Sequence, residues 1–375
     1  MSGAPATSVD GRLVLDDRVA SGRLTLEDGR IAAIELHDEV AGDSPYLAPG
    51  FADLHVHGWG GHDAMGEPAA LDGMARALLG RGVTSFLPTA VTAPLAELTA
   101  FAERVRAWMP HAPADGAQPL GFNLEGPFLA ADRRGAHDPN HLLAPADASR
   151  ASLEPLIDGL RLLTVAPELP GATDLIAWLA VRGVVSSVGH SAASFEEAVA
   201  GYAAGARSTT HLFNAMSGLD HRAPGLALAA LLDDAAYVEL IADGIHVHPA
   251  LWGLITRLKP ADRLLLVSDA VALAGTGEGH GRIGGLEVEV TGERVTLAGT
   301  VTLAGSVIAL DAAVRNVVES GVALPAAVAA ASRNPLDLLG ITDRGRIAVG
   351  QRADLVELDT DLRVRRAMRG GTWFA

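Results

Sequence analysis

Phe51-Ala-Asp-Leu-His-Val-His-Gly-Trp-Gly-Gly61 is the stretch on which the fold reading turns. Leu54 and Val56 alternate with His55 and His57, which is the two-residue period of a strand, so both imidazoles share one face. Gly58, Gly60 and Gly61 break the strand at once. A strand end followed by a glycine-rich turn is where α/β folds place their sites. Two histidines so arranged can share one ion at the ~2.0–2.1 Å bond length that zinc takes. His55 and His57 read as the first half of a metal site.

From residue 50 onward, strand signals recur at 51–57, 83–89, 119–125, 161–166, 184–189, 207–212, 237–242 and 264–269. Helical patterns fall between them at 68–80, 93–107, 172–181, 194–204 and 249–257. The helix at 194 opens with Ser194-Phe-Glu-Glu197, a capping box, and stops at Gly205. This alternation predicts a (β/α)8 TIM-type barrel over residues 50–340. A doubly wound open sheet is the alternative, but no GxGxxG follows the first strand.

The ends have a different texture. Arg12–Leu15, Ser21–Leu26 and Arg30–Ile34 read as short strands, with Asp28-Gly29 as a hairpin turn. Gly345–Ala348, Asp354–Leu358 and Leu362–Arg365 repeat that texture near the C-terminus. Residues 1–49 and 341–375 therefore predict a small β-sandwich domain built from both termini. Residues 275–304 interrupt the barrel pattern: Thr276–Gly281 reads as a mobile loop, and Leu286–Val290 with Arg294–Leu297 as an inserted β-hairpin. Helices at about 306–320, 325–332 and 335–339 follow.

A length of 375 residues, 49% hydrophobic, suits a barrel plus an addition. No apolar run approaches the ~18–20 residues a membrane helix needs, and the N-terminus lacks the pattern of a secretory signal. The absence of cysteine excludes disulfides and thiolate ligands and fits a cytoplasmic protein. A net charge of −16 argues against a nucleic-acid partner, and an anionic substrate would need local positive groups.

On the predicted barrel the titratable residues gather at strand ends. Strand one ends in His55-Val-His57, strand three in Asn123-Leu-Glu125, strand five in Val188-Gly-His190, strand six in Thr210-His211 and strand eight in Val267-Ser-Asp269. All belong to the face where barrel enzymes build their sites. A nitrogen- and oxygen-rich set suits Zn²⁺ or a similar first-row cation, and it exceeds the three protein ligands of one open zinc. Glu125 can bridge two ions about 3.5–4 Å apart. A carboxylated lysine cannot, because Lys259 is the only lysine and precedes strand eight.

With these motifs the chain resembles the amidohydrolase superfamily, and within it the N-acetylglucosamine-6-phosphate deacetylase family. The resemblance runs through Ala48–His57, Asn123–Phe128, Thr164–Glu168, Gly189–Ser191, Thr210–Met216, Ile241–His246, Val267–Ala270, Leu303–Ser306 and Gly345–Val356. It implies that Glu125, His190 and His211 are the main metal ligands, and that His55 and His57 bind a second metal, giving two Zn²⁺ per chain. It implies Asp269 as the catalytic acid/base as well as a ligand, with His137 and His246 contacting substrate. Asn214 and Ala215 would meet a phosphate, and Arg222 would reach the phosphate of the neighbouring subunit in a homodimer. The activity implied is release of acetate from N-acetyl-D-glucosamine 6-phosphate. The galactosamine epimer, a cyclic-amide hydrolase or deaminase of the same superfamily, and a non-catalytic binding relative are the alternatives. His62, His111, His141, His221, His248 and His280 are expected to be ordinary histidines.

Overall fold

The computed structural model describes residues 7–37 and 44–374. The parts of the expected terminal unit at 1–6, 38–43 and 375 lie outside the described residues. Eight parallel strands run in chain order around one sheet: β1 (Phe51–Val56), β2 (Val83–Ala90), β3 (Phe122–Glu125), β4 (Leu160–Val165), β5 (Val185–Val188), β6 (Ser208–Thr209), β7 (Tyr237–Leu240) and β8 (Leu264–Leu266). The stretch after β8 closes the circle on β1. Asp269 N donates to His55 O at 2.8 Å, and His57 N donates to Ala270 O at 2.8 Å. The fold is a TIM-type barrel.

The helices that pack outside it include α1 (Pro68–Leu79), α2 (Leu95–Trp108), α3 (Arg150–Ile157), α4 (Ala172–Ala180), α5 (Phe195–Ala203), α6 (Leu226–Leu232), α7 (Pro249–Leu258) and α8 (Leu310–Glu319). The expected capping box opens α5, with Ser194 Oγ accepting from Glu197 N and Glu197 Oε2 from Ser194 N. Leu87, Leu162, Val185, Tyr237 and Leu265 pack with Leu338 and Leu339 to plug one end of the barrel. Burying this apolar layer leaves the other end for polar chemistry.

Seven strands from both termini form a second sheet, in which Tyr46–Pro49 joins the N-terminal strands to Leu355–Leu358. The sheet curls on itself, so that Gly29 in one turn approaches Gly371 in another, and Leu13, Leu24, Ile31, Leu355 and Met368 share a core. Gly345–Ala348, read above as a strand, instead runs through turns. Gly345 holds φ +86° against Leu336 and Arg333, and Ile347 enters the same core from that turn.

The insertion carries one strand more than the expected hairpin. Gly279–Ile283 pairs with Leu286–Thr291, which pairs with Arg294–Leu297. Residues 279–281, read above as loop, are therefore an edge strand. No helix among the described residues is long and apolar enough to cross a membrane.

Candidate active site

Five of the eight barrel strands deliver the predicted chemistry to one cavity. His55 and His57 leave β1, Glu125 ends β3, and His190, His211 and Asp269 follow β5, β6 and β8. His190 (φ +47°), His211 (φ +27°) and Asp269 (φ +50°) have left-handed backbones, as do Phe213 and Ala215 beside them. Each such non-glycine residue costs of order 1–3 kcal/mol and persists where its surroundings impose it. Gly305 shows how close that packing is: a Cβ there would lie 2.8 Å from the Asp269 carbonyl oxygen.

Glu125 is the hub. Its Oε1 lies 2.9 Å from His211 Nε2, 3.0 Å from His190 Nε2 and 3.4 Å from His55 Nε2. Its Oε2 lies 3.1 Å from His57 Nε2 and 3.2 Å from His137 Nε2. Asp269 Oδ1 is 3.1 Å from His57 Nε2 and 3.6 Å from His55 Nε2. All of these groups are buried.

The far ring nitrogens assign the near ones. His57 Nδ1 faces Thr89 O at 3.1 Å, His190 Nδ1 faces Arg133 O at 2.8 Å, and His55 Nδ1 faces Glu239 Oε2 at 3.1 Å. Each acceptor fixes a proton on Nδ1 and leaves the Nε2 lone pair turned inward, the tautomer a metal ligand needs. His137 is the opposite: its Nδ1 accepts from Thr92 N at 3.2 Å. A neutral His137 thus carries its proton on Nε2 and donates to Glu125. Although Glu125, His137 and His190 lie close enough to hold an ion, His137 is turned the wrong way to be a ligand.

These lone pairs test the fit of a cation. His190 and His211 Nε2 are 3.1 Å apart, both against a carboxylate, and buried His55 Nε2 has no hydrogen-bond partner among the described residues. Neutral lone pairs so converged repel one another unless a proton or a metal lies among them. His55, His57, Glu125 and Asp269 bring their donor atoms within 4.8 Å of one another, and imidazole with carboxylate suits divalent first-row cations. The donors fit, and the chain carries a divalent-metal site.

The electrostatics agree. Burial pushes the Glu125 and Asp269 carboxyls up, but the surrounding imidazoles outweigh it and hold both well below the usual range. Burial likewise opposes a charged His57, yet its hydrogen bonds to Asp269 and Glu125 raise it to about 9, so a proton takes the inward Nε2 where a metal does not. At His190 burial wins, and its imidazole falls to about 4. Both carboxylates are therefore ionised at neutral pH.

The cavity, about 260 Å³, also takes lining from Asn214, Ala215, His246 and Leu303. His246 is braced by Asp243, whose Oδ2 lies 2.6 Å from its Nδ1 and whose Oδ1 accepts its backbone N–H at 2.8 Å. Asn214 sits in the turn after β6, its Nδ2 on His211 O at 3.2 Å. Arg222 is exposed and lies outside this cavity of its own chain. His248 caps α7 by accepting from Ala250 N, and none of the other expected ordinary histidines lines the cavity. Lys259 is spent on carbonyl oxygens of Ala230 and Asp233 at the end of α6.

Two contributors have no role assigned from the sequence. Glu239, wholly buried on β7, holds His55; its signal was a lone carboxylate inside the apolar run Tyr237-Val-Glu-Leu240. Glu168 accepts from Ser191 Oγ at 2.7 Å and from Ala192 N at 2.6 Å, bracing the turn that carries His190.

Residues 46–373 match the Amidohydrolase family. The chain belongs to the amidohydrolase family. Among characterised amidohydrolases it is 40% identical to the N-acetylgalactosamine-6-phosphate deacetylase of Escherichia coli O157:H7, over 94% of this chain and 93% of that one. It is 39% identical to the human N-acetylglucosamine-6-phosphate deacetylase, over 87% and 82%. The crystal structure of the N-acetylglucosamine-6-phosphate deacetylase from Thermotoga maritima superposes with a TM-score of 0.91 at 34% identity, covering 98% of this chain and 99% of that one. A mutant of the Mycobacterium smegmatis enzyme in complex with N-acetyl-D-glucosamine-6-phosphate gives 0.90 at 34%, covering 99% of each. The family expectation drawn from His-x-His, Leu-Glu-Gly-Pro and His-Leu-Phe-Asn-Ala-Met is thereby borne out, and this amidohydrolase stands with the amino-sugar-phosphate deacetylases.

Proposed function

We propose that this chain hydrolyses the acetamide of N-acetyl-D-glucosamine 6-phosphate to D-glucosamine 6-phosphate and acetate. The observation that carries the reading is Asp269, an ionised carboxylate on the cavity wall, 3.1 Å from His57 Nε2 and beside the Glu125–His190–His211 cluster. Its role, and those of the other site residues, follow from placement and from the likeness to the deacetylases.

His190, His211 and Glu125 would hold one divalent ion, and His55, His57 and Asp269 a second, with Glu125 between them. Zinc suits these donors best. Bound there, the ions supply acidity to a water and draw electron density from the acyl oxygen. Asp269 takes the proton of the attacking water and then gives it to the departing nitrogen, which leaves as an amine. His246, held by Asp243, faces the cavity to steady the acyl oxygen or a sugar hydroxyl. His137 donates to Glu125 and so keeps that carboxylate oriented. Asn214 and Ala215 line the phosphate end, which anchors the substrate away from the bond that breaks. Arg222, exposed on its own chain, would complete that end across a homodimer interface. A cytoplasmic setting and a division into a terminal unit (1–49 with 341–375) and a barrel (50–340) complete the reading.

The same chemistry on the galactosamine epimer, toward which one relative of 40% identity points, is not favoured, because relatives of 39% identity and the substrate complex are of the glucosamine type. Steady-state hydrolysis of both 6-phosphates, with Asp269→Asn as control, decides between them. Cleavage of neither by the zinc-reconstituted protein sinks both readings, and faster turnover of the galacto sugar reverses their order. Elemental analysis giving one ion per chain at saturation removes the second site. Arg222→Ala is expected to raise KM for the phosphorylated substrate with little change in kcat. An unchanged KM takes Arg222 out of the phosphate site.

A further inference from the structure

We propose that Glu239 is the positioning residue that holds the two halves of the metal site in register, by fixing the His55 ring and the His211 peptide through one carboxylate oxygen. The inference rests on the reading that His55 and His57 hold an ion. Glu239 belongs to β7, a strand that supplies no ligand, and its side chain is fully buried. Its Oε2 accepts from His55 Nδ1 at 3.1 Å and from the backbone N–H of His211 at 3.2 Å. Its own carbonyl accepts from Leu212 N at 2.8 Å, so side chain and main chain grip successive peptides.

Both held groups need holding. His211 has a backbone conformation (φ +27°) that an L residue rarely adopts, and a tethered N–H keeps it there. His55 needs an acceptor at Nδ1 if Nε2 is to stay bare. His57 and His190 get theirs from the main-chain carbonyls of Thr89 and Arg133. Among these three rings only His55 depends on a side chain. Glu239 Oε1, moreover, is buried without a partner among the described residues. Leaving a carboxylate oxygen unpaired is unfavourable, and an apolar residue would fill an apolar strand at less cost. What Oε2 does accounts for a carboxylate at this place.

Zinc titration of metal-free wild type, Glu239→Ala and Glu239→Gln, with chelator competition and melting of the metal-free proteins, tests this. Glu239→Ala is expected to bind the ion of the His55 half about 10–100-fold more weakly. Glu239→Gln, which keeps an acceptor at the same place, is expected to recover most of that loss. Wild-type affinities in Glu239→Ala would overturn the proposal, and so would an equal loss in both variants when both melt as wild type does. Should the alanine variant not fold, ¹⁵N-histidine spectra of zinc-loaded wild type and Glu239→Gln decide: a His55 ring protonated at Nδ1 supports the assignment, and one protonated at Nε2 removes it. If wild type takes up only one ion, the two-ion reading fails, while the ring spectrum still decides the role of Glu239.

Discussion

At the mouth of the barrel, Glu125, Glu239 and Asp269 are buried carboxylates, and three chemistry-bearing residues have left-handed backbones. In the terminal sheet, Leu13, Leu24, Ile31, Leu355 and Met368 pack against one another, and pairs such as Arg23–Asp10 sit in solvent. The first arrangement is costly to fold, because buried charge and positive φ both work against the native state. The second is ordinary apolar burial, worth roughly 25 cal/mol per Å² removed from water. The mouth is specified by what it must bind, and the sheet with the barrel's plugged end supplies stability that tolerates the strain.

Substitutions should separate these two contributions. Asp269→Asn is expected to lower kcat by about 10²–10⁴-fold, the usual worth of a positioned acid/base, with a small loss of melting temperature. Asparagine tolerates the left-handed backbone but leaves His57 without its charged partner. Retained turnover would exclude Asp269 as the proton carrier. Leu24→Ala, in the fully buried sheet core, should do the reverse: about 2–5 kcal/mol of stability lost, with kcat unchanged below the new melting point. A fall in kcat there would show the sheet acting on the mouth.

The same contrast explains what was legible in the sequence. Strands, helices and the His-x-His pair follow local periodicity, so all eight barrel strands and the Ser194–Glu197 capping box lie where their patterns place them. Gly345–Ala348 carries a strand's composition, but Gly345 turns the chain at φ +86°, and only the packing of Ile347 shows why. Gly279–Gly281 looks like loop because its glycines have low strand propensity; the pairing of Gly279–Ile283 with Leu286–Thr291 overrides that. Glu239 escaped notice because its meaning depends on His55 and His211, which come near it only in the fold.

A smaller effect joins backbone to site. Gly305 has φ +73°, and a Cβ would meet Val271 Cγ1 at 2.7 Å and Asp269 O at 2.8 Å. Gly305→Ala is expected to cost about 1–3 kcal/mol of stability and to lower kcat by shifting Asp269. Lost stability with intact kcat would mean that Asp269 is placed by β8 and His55 alone.

The smallest effect lies away from the chemistry. Lys259 is nearly inaccessible, and its Nζ donates to the Ala230 and Asp233 carbonyl oxygens. Burial lowers its pKa from 10.5 to about 8, against the opposing pull of Asp233 and Asp234. Between those two values the folded chain has released a proton that the unfolded chain keeps. The unfolded state then binds more protons, so stability rises with pH through that window and is lost as pH falls back through about 8. Part of the shift is offset by the two carbonyl bonds, which leaves an expected gain of about 1–2 kcal/mol between the folded and unfolded pKa. Denaturant unfolding of wild type and Lys259→Met across that range isolates it, because tyrosines and other groups titrate alike in both. The methionine variant should lack the rise while its turnover matches wild type at neutral pH. A parallel pair of stability curves would mean that Lys259 keeps its proton to higher pH than its burial implies.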